Sequence, residues 1–418
     1  MNRITFRNVP IALFAALVAV SFPVTAREVP NLPVDALVRS PIDITGSVTD
    51  VQRSRGLMSS RTDWTFSILV EHVHHSGLPD LKVSGGQQIV ITARTQRLRP
   101  GTVGSTGHRS TFGGPNGLPQ KGDRVRVHAE RRNGELVAAF PNGFCAPGTR
   151  ITVIAADDEY ESYVTMPALS AELDRFANIT SSVIVAADPA ARTPDPTSKT
   201  ANTGVAALND AHVCVVFMRF SRDEELANEL ADFARSGRPI VGFRTSTHAF
   251  ALPQESPVAW MNERFGAQVF GAPWRSHHGH SSRTKLHLPA GVSDDHPVLR
   301  GLAGALAEGI TVRSWLYEIE PLGDGCIVLL EGEAIDSERE GASGRRQPVL
   351  WVREAGEVLD DPNAMRSGHA PRRMAFTTLG HPDDLEHPVV RLLAGRMILW
   401  AAGEERLIDE MPRPAPQE

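Results

Sequence analysis

Val213-Cys214-Val215-Val216-Phe217-Met218 is an unbroken apolar run. A capping box follows at Ser221-Arg222-Asp223-Glu224, then a single helical stripe at Leu226, Leu230 and Phe233, a helix stop at Gly237, and a second apolar run at Pro239-Ile240-Val241-Gly242-Phe243-Arg244. Strand, helix and strand in so short a stretch, with the strands apolar on both faces, predict a parallel sheet covered by helices. The pattern repeats outward. Ile151-Thr152-Val153-Ile154-Ala155-Ala156 and Ser182-Val183-Ile184-Val185-Ala186-Ala187 are strands around a helix expected near 165–176, and a late strand runs through Met374-Ala375-Phe376-Thr377-Thr378-Leu379. The expected fold is a doubly wound α/β domain, whose functional groups gather where the strands end.

The preceding hundred residues read differently. Trp64-Thr65-Phe66-Ser67-Ile68-Leu69-Val70, Gln88-Ile89-Val90-Ile91-Thr92 and Arg124-Val125-Arg126-Val127-His128 are short strands between Gly/Pro-rich turns, which predicts a small all-β barrel or sandwich. The stretch 99–117 reads as a long loop, and the period changes at Cys145-Ala146-Pro147-Gly148. Charge divides at the same place: residues 27–147 carry a net +5 and 148–418 a net −13, within an overall −6. This gives no electrostatic reason to bind nucleic acid.

Arg3 and Arg7, the apolar run 11–22 and the small residues Val24 and Ala26 read as a cleavable export signal, 1–26, too short to span a bilayer. The expected organisation is this signal, a β-domain over 27–147, an α/β domain over 148–405 and a tail over 406–418. The mature protein is expected to be exported, periplasmic or extracellular, with no integral membrane segment. Cys145, Cys214 and Cys326 are too few and too scattered for a disulfide framework or a C-x-x-C motif, and Cys214 and Cys326 read as buried apolar residues. No nucleotide-binding motif is present.

The strand-end rule nominates Asp158 and Glu159 after the first α/β strand and Arg244, Thr245, Ser246 and His248 after the fourth. After the last strand it nominates His381, Asp383 and Asp384, and the imidazole-rich loop His277-His278-Gly279-His280 lies within reach. A permanent charge at the buried end of a strand needs a carboxylate or an anionic ligand, so Arg244 is either salt-bridged to Asp158 or Glu159 or poised for substrate. Ser246 reads as a helix N-cap. His381 and Asp384 are candidates for a general acid/base pair, or for joining His277 or His248 on a divalent metal; the plain alternative for His381-Pro382-Asp383-Asp384 is a capped helix start. In the β-domain, His72 and His74 form a period-2 pair able to share a strand face, with no third ligand at metal-binding spacing.

Gly242-Phe243-Arg244-Thr245-Ser246-Thr247-His248-Ala249-Phe250, the strand end Asp157-Asp158-Glu159-Tyr160, the His-Gly loop and Leu379-Gly380-His381-Pro382-Asp383-Asp384, with the ending Trp400-Ala401-Ala402-Gly403, together resemble the trehalose-utilisation (ThuA-like) domain over about 148–405. The resemblance implies a flavodoxin-like, mostly parallel sheet akin to class I glutamine amidotransferases and a link to carbohydrate metabolism. Arg244 stands where amidotransferases place their cysteine nucleophile, which excludes thioester chemistry. The string H-P-D-D also occurs in N-acetylglucosaminyl deacetylase-like enzymes, but only 34 residues follow Asp384 here, too few for that fold. Two functions stay open. One is a hydrolase or isomerase of a small sugar derivative, with His381 and Asp384 as acid/base residues and Arg244, His248, His277, Asp158 and Glu159 at the substrate. The other is a non-catalytic carbohydrate-binding or scaffold module.

Overall fold

The structure is a computed structural model that describes residues 40–55, 61–96, 119, 121–139, 144–145, 148–364 and 368–412. The export signal 1–26, the loop 99–117, the Ala146-Pro147 part of the domain boundary and the end of the tail lie outside the described residues. No helix among the described residues is long and apolar enough to cross a membrane.

The β-domain consists of β1 (Ile42–Arg55), β2 (Arg61–Ser76), β3 (Gln88–Gln96), β4 (Arg124–Arg132), β5 (Glu135–Ala138) and β6 (Phe144–Cys145). They pair in the order β1-β2-β3-β5-β4-β6, and β1 also pairs with β4, so the first five strands close into a small barrel. The seam between β3 and β5 is the weakest, with Thr92 opposite Val137 as its one pair among the described residues. Its core is the inward set Ile42, Ile44, Val48, Phe66, Ile68, Val70, Ile89, Ile91, Val125 and Val127, while Leu69 and Val90 between them face out. Period-2 alternation specifies which face turns inward.

The α/β domain runs through β7 (Thr149–Ala156), β8 (Ile179–Ala186), β9 (Asn202–Thr203), β10 (Val213–Met218), β11 (Ile240–Phe243), β12 (Ser276–His277), β13 (Arg283–His287), β14 (Thr311–Val312), β15 (Tyr317–Glu318), β16 (Ile327–Ile335), β17 (Arg346–Arg353) and β18 (Met374–Thr377). Five parallel strands lie in the order β8-β7-β10-β11-β18, which in chain order is the 2-1-3-4-5 arrangement of a flavodoxin-like sheet. The whole sheet is mixed, not mostly parallel. β9 adds antiparallel at one side, and β17, β16, β13 and β14 add antiparallel at the other. The turn from Ile335 to Arg346 is too short for the crossover that a parallel neighbour needs, so this insertion joins the sheet as a hairpin. β12 and β15 form a separate two-stranded ribbon.

Both faces of the sheet are covered. Ile151, Val153, Val213, Val215 and Phe217 pack on one face against the helices Ser162–Leu173 and Pro388–Ala401. Ile154, Cys214, Val216 and Met218 pack on the other against Leu226, Leu230 and Phe233 of the helix Glu224–Arg235. Each such buried side chain contributes about 1.5–3 kcal/mol, and the alternation explains why the strands read as continuous apolar runs.

Local signals need two corrections. Asp223, not Ser221, caps the helix Glu224–Arg235, accepting from the amides of Glu225 and Leu226, while the Ser221 hydroxyl accepts from the Asp223 amide. A carboxylate two residues closer to the helix meets the free N–H groups and the positive helix end. Ser246 is not an N-cap: it lies in the 3-10 turn Arg244–His248 and donates to the carbonyls of Val216 and Phe243. Gly237 ends its helix with φ 84°, as expected.

Candidate functional site

Three turns meet at the carboxyl edge of the parallel strands, and each carries a non-glycine residue with left-handed backbone: Glu161 (φ 49°) after β7, Phe220 (φ 51°) after β10 and Arg244 (φ 42°) after β11. Such a residue costs of order 1–2 kcal/mol and persists only where the surroundings overdetermine it. Asp157 ties two of these turns together. Its carboxylate accepts from the Tyr160 amide at 2.8 Å and from the Thr245 hydroxyl. Burial raises the pKa of Asp157, and the Thr245 and Tyr160 hydrogen bonds oppose that rise.

Arg244 is completely buried. Its guanidinium donates to the Thr378 carbonyl at 2.8 Å, to the Trp315 carbonyl at 3.4 Å and to the Tyr160 phenol oxygen at 3.0 Å, and Nε has no partner. It lies 4.2 Å from the centre of the Tyr160 ring, 4.7 Å from Tyr317 and 6.0 Å from Trp315. Among the described residues no carboxylate is within ion-pair distance of it. The alternative salt bridge fails because Asp158 pairs with Lys199 at 2.6 Å and Glu159 pairs with Arg219. The two carboxylates expected at the substrate thus hold surface cations beside the site.

The remaining candidates surround Arg244 through these rings. The Tyr160 and His381 rings are 6.3 Å apart. His248 lies 6.4 Å from Tyr317, 5.1 Å from Phe220 and 5.0 Å from Trp274. His277 lies 5.3 Å and His280 4.6 Å from Trp315, while His278 is buried, its amide bonded to the Leu316 carbonyl. Burial, followed by Arg219 and Arg244, presses the His248 pKa down to about 3, so its ring is neutral. Burial, His280 and Arg244 lower that of His277. Phe220 and Trp274 are each about 40% exposed, forming an apolar platform beside His248.

His381 caps the helix Pro382–Glu386: Nδ1 accepts from the Asp383 amide at 3.2 Å. With Nδ1 accepting, the neutral ring carries its proton on Nε2. Asp384 is buried, its oxygens accepting from the amides of Arg313 (2.7 Å) and Ser314 (3.1 Å) and from the Ser314 hydroxyl. The same hydroxyl accepts from the His381 amide at 3.2 Å, so Ser314 links the two residues. The carboxylate anchors the 313–315 turn that carries Trp315.

No protein-family model and no curated protein matches the chain. Solved structures similar to it include a protein of Bacteroides uniformis described as ThuA-like, with a TM-score of 0.39 and 12% identity over 61% of this chain and 92% of that one. A protein of Parabacteroides merdae, also described as ThuA-like, has a TM-score of 0.38 and 14% identity over 61% and 90%. A cold-adapted β-galactosidase of Rahnella sp. R3 has a TM-score of 0.33 and 13% identity over 64% and 32%. At these values the comparisons transfer neither fold nor activity, and the reading of the site rests on its own residues.

Sequence reasoning reached Arg244, His248, His277 and His381 but missed the groups that connect them: Asp157, Tyr160, Trp315 and Tyr317, together with the platform of Phe220 and Trp274. Tyr160 ended a quoted strand-end motif, and its aromatic character four residues past the strand was the available signal. Trp315 and Tyr317 lie in an insertion whose fold depends on the hairpin, and no local pattern marked them.

Proposed function

We propose that the carboxyl edge of the sheet binds a small sugar derivative and acts on it as a hydrolase or isomerase. The supporting observation is Arg244, a buried cation with no carboxylate within ion-pair distance among the described residues, whose field reaches the site through the Tyr160 phenol. Because Arg244 donates to the phenol oxygen, the phenol proton is free to point at a ligand oxygen. His381, 29% exposed at its side chain, presents Nε2–H beside it as a hydrogen-bond donor to the reacting oxygen. Asp384 positions this pair by anchoring the turn that holds Trp315. The platform of Phe220 and Trp274 offers apolar faces to the C–H side of a sugar ring, and the neutral His248 offers a polar edge.

A binding module without turnover is the second reading. The burial of both Arg244 and Asp384 favours it, since neither presents an atom to solvent. Calorimetry and product analysis with a panel of sugar phosphates, uronates and keto-sugars separate the two. Under the enzymatic reading His381→Ala abolishes turnover, retains binding within a few fold and keeps the melting temperature within that expected from losing one helix cap, about 1 kcal/mol. Binding without turnover in the wild type establishes the module. Absence of both overturns the site.

A further inference from the structure

The period-2 histidines of the barrel remain unused by this reading. His72 and His74 lie on β2 with ring centres 4.5 Å apart, and the structure brings a third group to them from the far end of the chain. Glu404, directly after the helix Pro388–Ala401, places its carboxylate 3.9 Å from His72 Nε2 and 3.7 Å from His74 Nδ1. The three ligand atoms all lie within 4.8 Å of one another. A tetrahedral ion with bonds of about 2.1 Å needs ligand atoms about 3.4 Å apart, so the set closes on an ion when side-chain rotation draws the three groups together by up to about 1.4 Å.

Hydrogen bonds between the three groups do not account for the arrangement. The two contacts to Glu404 are too long for hydrogen bonds. His74 Nδ1 is buried and has no hydrogen-bond partner among the described residues. The other nitrogen of His74 is held at 2.9 Å by the Thr45 hydroxyl, the kind of outer contact that orients a ligating imidazole. Glu404 is fixed in turn by the Thr149 hydroxyl at 2.7 Å and by Arg406 at 3.4 Å. His72 Nε2 also lies against the Gly403 carbonyl, and ligation requires its ring to turn off that oxygen. Gly403 (φ 70°) allows the approach, since a Cβ there would sit 2.9 Å from the His74 carbonyl oxygen. Two imidazoles and one carboxylate make up a zinc-type donor set.

We propose that His72, His74 and Glu404 form a divalent metal site of zinc type that ties the barrel to the C-terminal turn of the α/β domain. The site stands at the amino end of β7, across the sheet from the proposed sugar site, and does not depend on that reading.

The test is equilibrium dialysis and titration of the full chain with zinc, and with cobalt(II) as a spectroscopic probe, after chelator treatment. We expect one ion per chain, a visible cobalt absorption of low-symmetry four- or five-coordinate type, and a higher melting temperature with zinc. His72→Ala, at a partly exposed position, and Glu404→Gln each weaken binding by about 10–100-fold with the circular dichroism spectrum unchanged, while His277→Ala binds as the wild type. If Glu404→Gln does not fold, His72→Ala alone decides. No stoichiometric ion in the wild type, or full binding retained by His72→Ala, overturns the site.

Discussion

The two ends of the parallel sheet handle buried charge in opposite ways. At the carboxyl edge Arg244 lies under three aromatic rings and, among the described residues, meets no carboxylate within ion-pair distance, Asp384 acting on it from further away. At the amino edge, about 23 Å away along β7, Arg126 of the barrel grips Asp43 through two hydrogen bonds of 2.9 Å and reaches on to the Gly148 carbonyl and the Thr149 hydroxyl. Arg372 approaches the same Asp43 at 3.8 Å and donates to the Ser40 carbonyl. Burial raises the Asp43 pKa, but Arg126 and His128 outweigh it and hold the carboxyl well below its usual range. Polar groups here line a cavity of about 350 Å³ between the barrel and the sheet. The difference shows that burial alone does not identify a site. Internally compensated charge serves the junction of the two domains, whereas a buried cation held by carbonyls and aromatic rings, with Asp384 acting on it only from a distance, leaves more of its field for a ligand.

The comparison breaks most directly at Asp43. Asp43→Ala leaves Arg126 buried without its counter-ion and is expected to cost about 3–5 kcal/mol, read as a lower urea midpoint. Arg244→Met strands carbonyls and the Tyr160 phenol but breaks no close ion pair, so a smaller loss of about 1–3 kcal/mol is expected. Equal losses would mean that the two edges do not differ in kind.

Acidity sharpens the contrast at His128, whose two ring nitrogens are buried without hydrogen-bond partners. Burial holds its pKa down to about 4, with Arg126, Arg372 and Arg150 lowering it further against the opposing pull of Asp43. The unfolded chain takes up this proton near the ordinary 6.5 and the folded chain refuses it. The stability it contributes is therefore whole above pH 6.5 and falls towards pH 4, at up to about 1.4 kcal/mol per pH unit. Urea unfolding between pH 7 and pH 5 measures the slope, and His128→Gln is expected to flatten it. An unchanged slope would place the acid sensitivity elsewhere.

The smallest effect on stability is expected at the platform. Trp274→Ala removes a half-exposed ring and changes the unfolding free energy by less than about 1 kcal/mol. Its effect on sugar binding is expected to be tenfold or more, measured by calorimetry against the same panel. A large stability loss without a binding change would make Trp274 a packing residue.

Much of this organisation is written locally. The runs at Ile151, Ser182, Val213 and Ile240 announce buried parallel strands because their period reflects burial on both faces, and Leu226, Leu230 and Phe233 define a helix face for the same reason. Arg244 and His381 could be nominated from their places at strand ends. Ser221 and Ser246 mislead because a short hydroxyl near a helix start has several backbone groups within reach, and only the turn geometry selects among them. The flanking strands from Arg283 to Arg353 were not placed by pattern, since their antiparallel addition depends on which sheet edge is open when the insertion returns.

Tertiary structure alone settles the partnerships. Nothing near His74 in sequence points to Glu404, and nothing near Arg244 points to Tyr160 or Trp315; each pair comes from segments that share no period and meet only when separate elements pack. Periodicity is a property of a few consecutive residues and is visible without the fold. The compensation of a charge, or its absence, depends on groups drawn from distant parts of the chain, and so appears only once the sheet has brought its two edges into being.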